Sequence, residues 1–431
     1  MAIRSDRKLP GHRASCGPRS AYRASVLTPV AGEPRLRFHE DAIMIVGSDG
    51  VIESIRPYGA VAFDGIVQHF ASALVIPALV DAHLHFPQTR VIGSATGPLL
   101  DWLQQTVFPE ELRFANTTYA REVAGEFIDH ALSCGTGTVG AFSSSSPAAT
   151  EVLLDAMVET GIRGVAGLTL MDQRCPEALQ LPPERALPAV RELIERFHRA
   201  DAGRIEVAVT PRFALSCSEE MMRGAGELAT EHNLVVQTHV SENAREGAET
   251  LAAFPWADDY VDVYDKLGLL GPRTILAHAV HLSPGEWDRL AERGAAVAHC
   301  PDSNAFLGSG RMRLAEATRR RVKVSLGSDV AAGRTFDMRR AISSAYDAAI
   351  AWGDRPELED LLWLATLGGA ESLGLGSKAG SLEVGKDADF VVLGLPSYLS
   401  GREGALRAAC FGSDVAPVAR TYVRGRLIYR A

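Results

Sequence analysis

From about residue 73 the chain alternates short apolar runs with stretches in which apolar residues recur every three or four positions. The runs are Leu74 to Leu84, Thr136 to Phe142, Gly164 to Leu170, Ile205 to Pro211, Leu234 to Val240, Thr274 to Val280, Ala295 to Cys300 and Val322 to Ser328. Their length and composition predict strands. Between them, segments such as TYAREVAGEFIDHAL, PAVRELIERFHRA and PGEWDRLAERG carry a helical period. Strand–helix alternation predicts parallel strands. Eight repeats over roughly 300 residues predict an α/β fold built on a closed (β/α)8 barrel of the TIM type.

The flanks follow a different pattern. Residues 22–72 contain RASVLTPV, AIMIVGSDGVIESI and IVQHF, short strand-like runs with SDG marking a turn. Residues 376–431 contain ADFVVLGL and ARTYVRGRLIYRA, with VGKD as a turn. Both ends are expected to pair into a small β-sandwich domain beside a barrel spanning 73–375. Residues 1–21 are basic and rich in Ser, Pro and Gly, without an apolar targeting core. They are expected to form a disordered extension.

Composition narrows the partners. The 431 residues are 46% hydrophobic and 23% charged, ordinary for a core-forming chain, and the net charge of −9 argues against a nucleic-acid surface. The cysteines Cys16, Cys134, Cys175, Cys217, Cys300 and Cys410 form no CxxC pair, which disfavours a disulfide framework or a thiolate metal site. No stretch approaches eighteen consecutive apolar residues, so no membrane span is expected. A reduced, cytoplasmic enzyme is the expectation.

Candidate chemistry gathers at the ends of the predicted strands. His83 and His85 close the first run in VDAHLHF, two residues apart and therefore on one face of a strand. His239 ends the fifth run, His278 the sixth, and Asp329 follows the eighth. The C-terminal ends of barrel strands are where active sites of this architecture lie. Nitrogen and oxygen donors without thiolate suit Zn²⁺, with Fe²⁺ or Mn²⁺ as alternatives. Glu242, three residues past His239, is placed to move protons beside a metal-activated water. The fourth run ends in VTPRF and offers no Lys to bridge two metals, so one metal is expected. His281 and His299 read as structural.

These residues resemble the amidohydrolase superfamily and, within it, the guanine deaminases, from about residue 24 to 431. HLH at 83–85, His239, His278, SDV at 328–330, AHCPDSN at 298–304 and GSLEVGKDADFVVL match at the broader level. FPQ at 86–88, LLDWLQQTVFPEELRF at 99–114, TPRFALSCS at 210–218, SEN at 241–243, DVYDKLGLL at 262–270 and LATLGGAESLGL at 364–375 match at the narrower one. Ala78, Ala279 and Asp302 depart from the usual pattern.

The resemblance implies one zinc per chain, held by His83, His85, His239, His278 and Asp329. It implies proton transfer by Glu242 and Asp329, and substrate contacts from Gln88, Arg212 and Phe213, with Trp102 as a further aromatic wall. His85, His239, Glu242 and Asp329 are expected to touch substrate as well. The implied reaction is attack of a zinc-bound hydroxide on C2 of guanine, yielding xanthine and ammonia in a homodimer. Gln88 can donate and accept at once, and the Arg212 fork suits a ring carbonyl with its neighbouring nitrogen. Deamination of 8-oxoguanine, a pterin or a triazine is the alternative, and an inactive barrel used for binding or assembly is the reading from another class.

Overall fold

A computed structural model of the chain describes residues 18–32, 35–94 and 97–431. Most of the segment read as an N-terminal extension lies outside these residues, and a strand already begins at Ser20. Eight parallel strands follow one another: β1 (Leu79–His85), β2 (Thr136–Phe142), β3 (Arg163–Gly167, resumed at Thr169–Leu170), β4 (Ile205–Val207, resumed at Thr210–Pro211), β5 (Val236–Val240), β6 (Thr274–His278), β7 (Ala296–His299) and β8 (Lys323–Leu326). They form two four-stranded sheets, β1-β2-β3-β4 and β5-β6-β7-β8. Backbone hydrogen bonds bridge both junctions. Val209 N donates to Val235 O at 2.9 Å and Gln237 N to Val209 O at 3.0 Å; His85 N reaches Val330 O and Asp329 N reaches His83 O, both at 2.9 Å.

Side chains of alternating strand positions, among them Val80, Ala82, Val165, Ala208, Val235, Ile275, Ala277, Ala296 and Ala298, pack into one buried cluster. Small residues dominate because strands converge on this space. The outward positions pack against the intervening helices in a larger core. Those helices start and stop where local chemistry requires. Ser283 and Glu286 make a reciprocal capping box on Pro284–Arg293, and Gly294 ends that helix at φ 69°. Among the described residues no helix is long and apolar enough to cross a membrane.

The structure corrects the first predicted strand. The run from Leu74 to Leu84 is two strands, because ladder partners change between consecutive residues. Ala78 N bonds to Asp389 O at 3.0 Å, and Leu79 N to Gly135 O at 2.9 Å. The preceding strand, Val67–Pro77, belongs to a seven-stranded sheet. Its order is Arg426–Arg430, Val418–Val423, Phe390–Gly394, Val67–Pro77, Ser20–Pro29, Leu36–Val46 and Ile52–Pro57, so both chain ends contribute to it and meet where Phe390–Gly394 pairs with Val67–Pro77. The expected sandwich is thus one sheet with register shifts, wrapped on its own core of Tyr22, Met44, Phe70, Phe390 and Tyr422. The C-terminal segment also contains a helix, Gly401–Phe411, that the strand reading omitted; it packs on Met338–Ala351 and Leu358–Leu364.

Candidate metal centre and pocket

The C-terminal ends of β1, β5, β6 and β8 converge. His83, His239, His278 and Asp329 are buried, and one ligand atom from each lies within 4.8 Å of all the others. His85 stands beside them, its Nε2 3.1 Å from His239 Nε2 and 3.4 Å from Asp329 Oδ1. His83 Nε2 is 3.3 Å from Asp329 Oδ1 but makes no hydrogen bond. A buried, orphaned nitrogen in a ring of nitrogen and oxygen donors fits a metal ion.

The surroundings orient each ligand. His239 Nδ1 lies 2.6 Å from Arg212 O, and His278 Nδ1 lies 2.9 Å from Asn304 Oδ1. Such bonds turn Nε2 inward and fix the tautomer. Asp81 Oδ1 accepts from Ser328 N at 2.9 Å and His83 N at 3.3 Å, tying β1 to the turn that carries Asp329. His278 and Asp329 hold left-handed φ values of 76° and 53°. Such strained backbone is typical of functional sites. The turn is tight enough that a Cβ on Gly333 would lie 1.7 Å from Ser328 O, and one on Gly327 would lie 2.8 Å from His83 Cβ. No side chain fits at either position.

Electrostatics separate the two acids. Burial raises the Glu242 carboxyl well above its ordinary range, and the charges of Asp329 and Glu246 push it the same way. Burial opposes ionisation of Asp329 too, but His278, His83 and His85 hold it well below the usual carboxylate range. Burial also lowers His83 to about 4 and pushes His239 well below the ordinary imidazole range, which favours the neutral imidazole that binds metal. Two neighbouring carboxyls driven apart in this way suit a proton donor and a proton acceptor. Glu242 Oε2 is 3.4 Å from His278 Nε2, and its Oε1 has no partner.

A pocket of about 400 Å³, including its part open to solvent, stands over this ring. Its wall includes Gln88, Trp102, Arg212 and Phe213, with His85, His239, Glu242 and Asp329 at the metal side. His83 lies outside the pocket lining, within the ligand ring. His281 contacts Ser309 O at 2.8 Å, and neither His281 nor His299 belongs to the ring. Asp302 is matched by Arg334, whose Nη2 donates at 2.5 Å.

Several site residues were not singled out from sequence. Glu111 accepts from Gln88 Nε2 at 3.3 Å and from Arg212 Nη1 at 2.7 Å. Glu246 accepts from the Glu242 amide at 2.9 Å and from the Tyr260 hydroxyl at 2.6 Å. Asn304 and Asp81 position ligands as described. The available signal for Glu111 was an acid inside the largely apolar segment at 99–114. Helical spacing was the signal for Glu246, one turn past Glu242.

The Amidohydrolase family model matches residues 74–428, most of the chain and every residue of this site. The chain belongs to the amidohydrolase family. This amidohydrolase is 36% identical over 418 residues to the guanine deaminase of Escherichia coli strain K12, covering 91% of this chain and 92% of that protein. It superposes on a crystal structure of guanine deaminase from C. acetobutylicum with guanine bound in the active site. The TM-score is 0.89 and the identity 29%, over 95% of this chain and 100% of the other. An adenosine deaminase from Xanthomonas campestris with bound zinc matches at TM-score 0.84 and 27% identity, over 95% and 92% of the two chains. One fold therefore serves more than one purine substrate, and the pocket must carry the distinction.

Proposed function

We propose that this amidohydrolase hydrolyses guanine to xanthine and ammonia. The observation that carries the reading is one pocket lined both by two carboxyls, Glu242 and Asp329, and by the polar side chains of Gln88 and Arg212. The nearly full-length likeness to guanine deaminases supports it. His83, His85, His239, His278 and Asp329 would hold one zinc ion, and their nitrogen and oxygen donors suit that metal. When bound, the metal supplies Lewis acidity that makes a water nucleophilic near neutral pH.

The chain's own groups do the rest. Asp329, whose carboxyl the surrounding histidines push below its ordinary range, accepts the proton of the attacking water. Glu242, kept neutral by burial, gives its proton to a ring nitrogen as the water oxygen bonds to C2. The proton held by Asp329 then passes to the C2 amino group, which departs as ammonia while the added hydroxyl returns its proton to Glu242 and becomes the C2 carbonyl. Gln88 and Arg212 grip the purine edge, and Trp102 and Phe213 supply aromatic walls. Incubation with guanine, adenine, 8-oxoguanine and a pterin tests the assignment by product analysis. A pterin or 8-oxoguanine turned over about tenfold faster than guanine overturns it.

The same reading takes 73–375 as one closed (β/α)8 barrel and the flanks as a second domain. The backbone bonds at the β4–β5 and β8–β1 junctions support closure. It further takes the enzyme as a cytoplasmic homodimer, which sedimentation of the purified protein tests.

A further inference from the structure

The helix Phe108–Glu111 approaches the pocket from outside the strand ends. It meets Arg212 twice. The Phe108 ring centroid lies 5.3 Å from the guanidinium carbon, and Glu111 Oε2 accepts from Nη1 at 2.7 Å. Its other oxygen, Oε1, accepts from Gln88 Nε2 at 3.3 Å. Glu111, Gln88 and Arg212 are all buried, at 4%, 2% and 3% exposure. On its far side the Gln88 amide is held by Ala331 N, which donates to Oε1 at 3.4 Å.

These contacts leave the Gln88 amide one orientation. A carboxylate only accepts, so the amide must turn its nitrogen to Glu111. A backbone N–H only donates, so the amide must turn its oxygen to Ala331. One N–H of Gln88 is spent on Glu111 and the other remains for a ligand. Arg212 spends Nη1 on Glu111, while its buried Nη2 has no partner. Gln88 and Arg212, both in the pocket lining, are thus each left with a hydrogen-bond donor that no protein acceptor takes.

We propose that Glu111 is a positioning residue that sets the hydrogen-bond polarity of this wall: through Gln88 and Arg212 it makes the pocket accept a purine edge with two acceptors, the 6-carbonyl oxygen and N7, and reject one with a 6-amino donor. The proposal rests on the guanine reading for its reaction and goes beyond it in naming what rejects the 6-amino analogue. Removing the charge of Glu111 while keeping its shape releases the constraint. The amide of Glu111→Gln can donate to Gln88, so the Gln88 amide can turn over and show its oxygen to the ligand at the cost only of the long 3.4 Å bond from Ala331 N.

The test compares guanine with 2,6-diaminopurine, which carries the same 2-amino leaving group but an amino donor at C6. Turnover of guanine by the wild-type holoenzyme tests the guanine reading by itself. Binding of hypoxanthine against adenine tests the polarity of the wall whether or not turnover is seen. The wild type is expected to favour guanine over 2,6-diaminopurine by about a hundredfold in kcat/KM, and hypoxanthine over adenine by about tenfold in binding. Glu111→Gln is expected to keep its metal and lower the guanine preference by about tenfold, through KM more than kcat. A variant that keeps the wild-type preference overturns the proposal, as does a wild type that binds adenine as tightly as hypoxanthine. If Glu111→Gln does not fold, the hypoxanthine–adenine comparison decides alone.

Discussion

At the N-terminal ends of the strands, Arg163 opens β3 with 1% of its side chain exposed. Its Nε donates to Asp389 Oδ2 at 2.7 Å and its Nη2 to Asp387 Oδ2 at 2.6 Å. Asp389 Oδ1 takes a further bond from Arg424 N at 2.8 Å. Each of these buried charges is answered within the chain, and together they join β3 to the seven-stranded sheet. The C-terminal ends also bury polar groups, and several of those in the site stay unpartnered. His83 Nε2, Glu242 Oε1, Arg212 Nη2 and Trp102 Nε1 are buried without partners. An unpartnered buried polar group costs about 1–3 kcal/mol, so a fold keeps a cluster of them only where something arrives to complete them. Around Arg163 buried charges are paired within the chain, whereas in the site part of the buried polarity is left for metal and substrate.

Substitutions at the two ends should therefore fail differently. The largest effect is expected from His83→Ala, which opens the ligand ring: metal and activity should disappear together, and full metal occupancy by elemental analysis would remove His83 from the ligand set. Glu242→Gln keeps size and burial but has no proton to give. It should retain metal and lose about 10²–10⁴-fold in turnover, whereas near-normal turnover would mean that another group moves the proton.

Arg163→Ala acts at the answered end. It leaves Asp387 and Asp389 as uncompensated buried charges and should cost about 3–5 kcal/mol of stability, read from the denaturant midpoint. The folded fraction should keep normal kcat, and a selective loss of kcat would break the proposed separation of the two ends. The smallest effect is expected from Arg212→Ala, at about tenfold to a hundredfold in kcat/KM for guanine with metal content unchanged. Equal losses for guanine and for substrates lacking its carbonyl would show that Arg212 supports the pocket without reading the base.

Legibility from sequence followed locality. The β2 run, Thr136–Phe142, is the strand as predicted, because apolar residues with glycines at its start leave no competing pattern. The boundary at Ala78 was invisible, because Leu74 to Leu84 is one apolar stretch and only the exchange of ladder partners divides it. His83 and His85 declared themselves through a two-residue spacing. Asp329 was legible as the last of a series of strand-end groups. Glu111 was not, since its partners are 23 and 101 positions away in sequence. Asn304 stood in the matched segment AHCPDSN without an assigned role, and its role follows from a bond to His278 across two different strand ends.

By itself, the sequence determined where strands and helices alternate, which ends meet in the flanking sheet, and which side chains could bind a metal. All three depend on local spacing and residue chemistry, which the chain carries wherever it folds. Only the tertiary structure decided how the buried polar atoms are shared. Glu111 is directed at both Gln88 and Arg212, Arg163 at both Asp387 and Asp389, and burial raises the proton affinity of Glu242 while the neighbouring histidines lower that of Asp329. Hydrogen-bond pairing and desolvation depend on distances between residues far apart in the chain, and those distances exist only once the strand ends have been brought together.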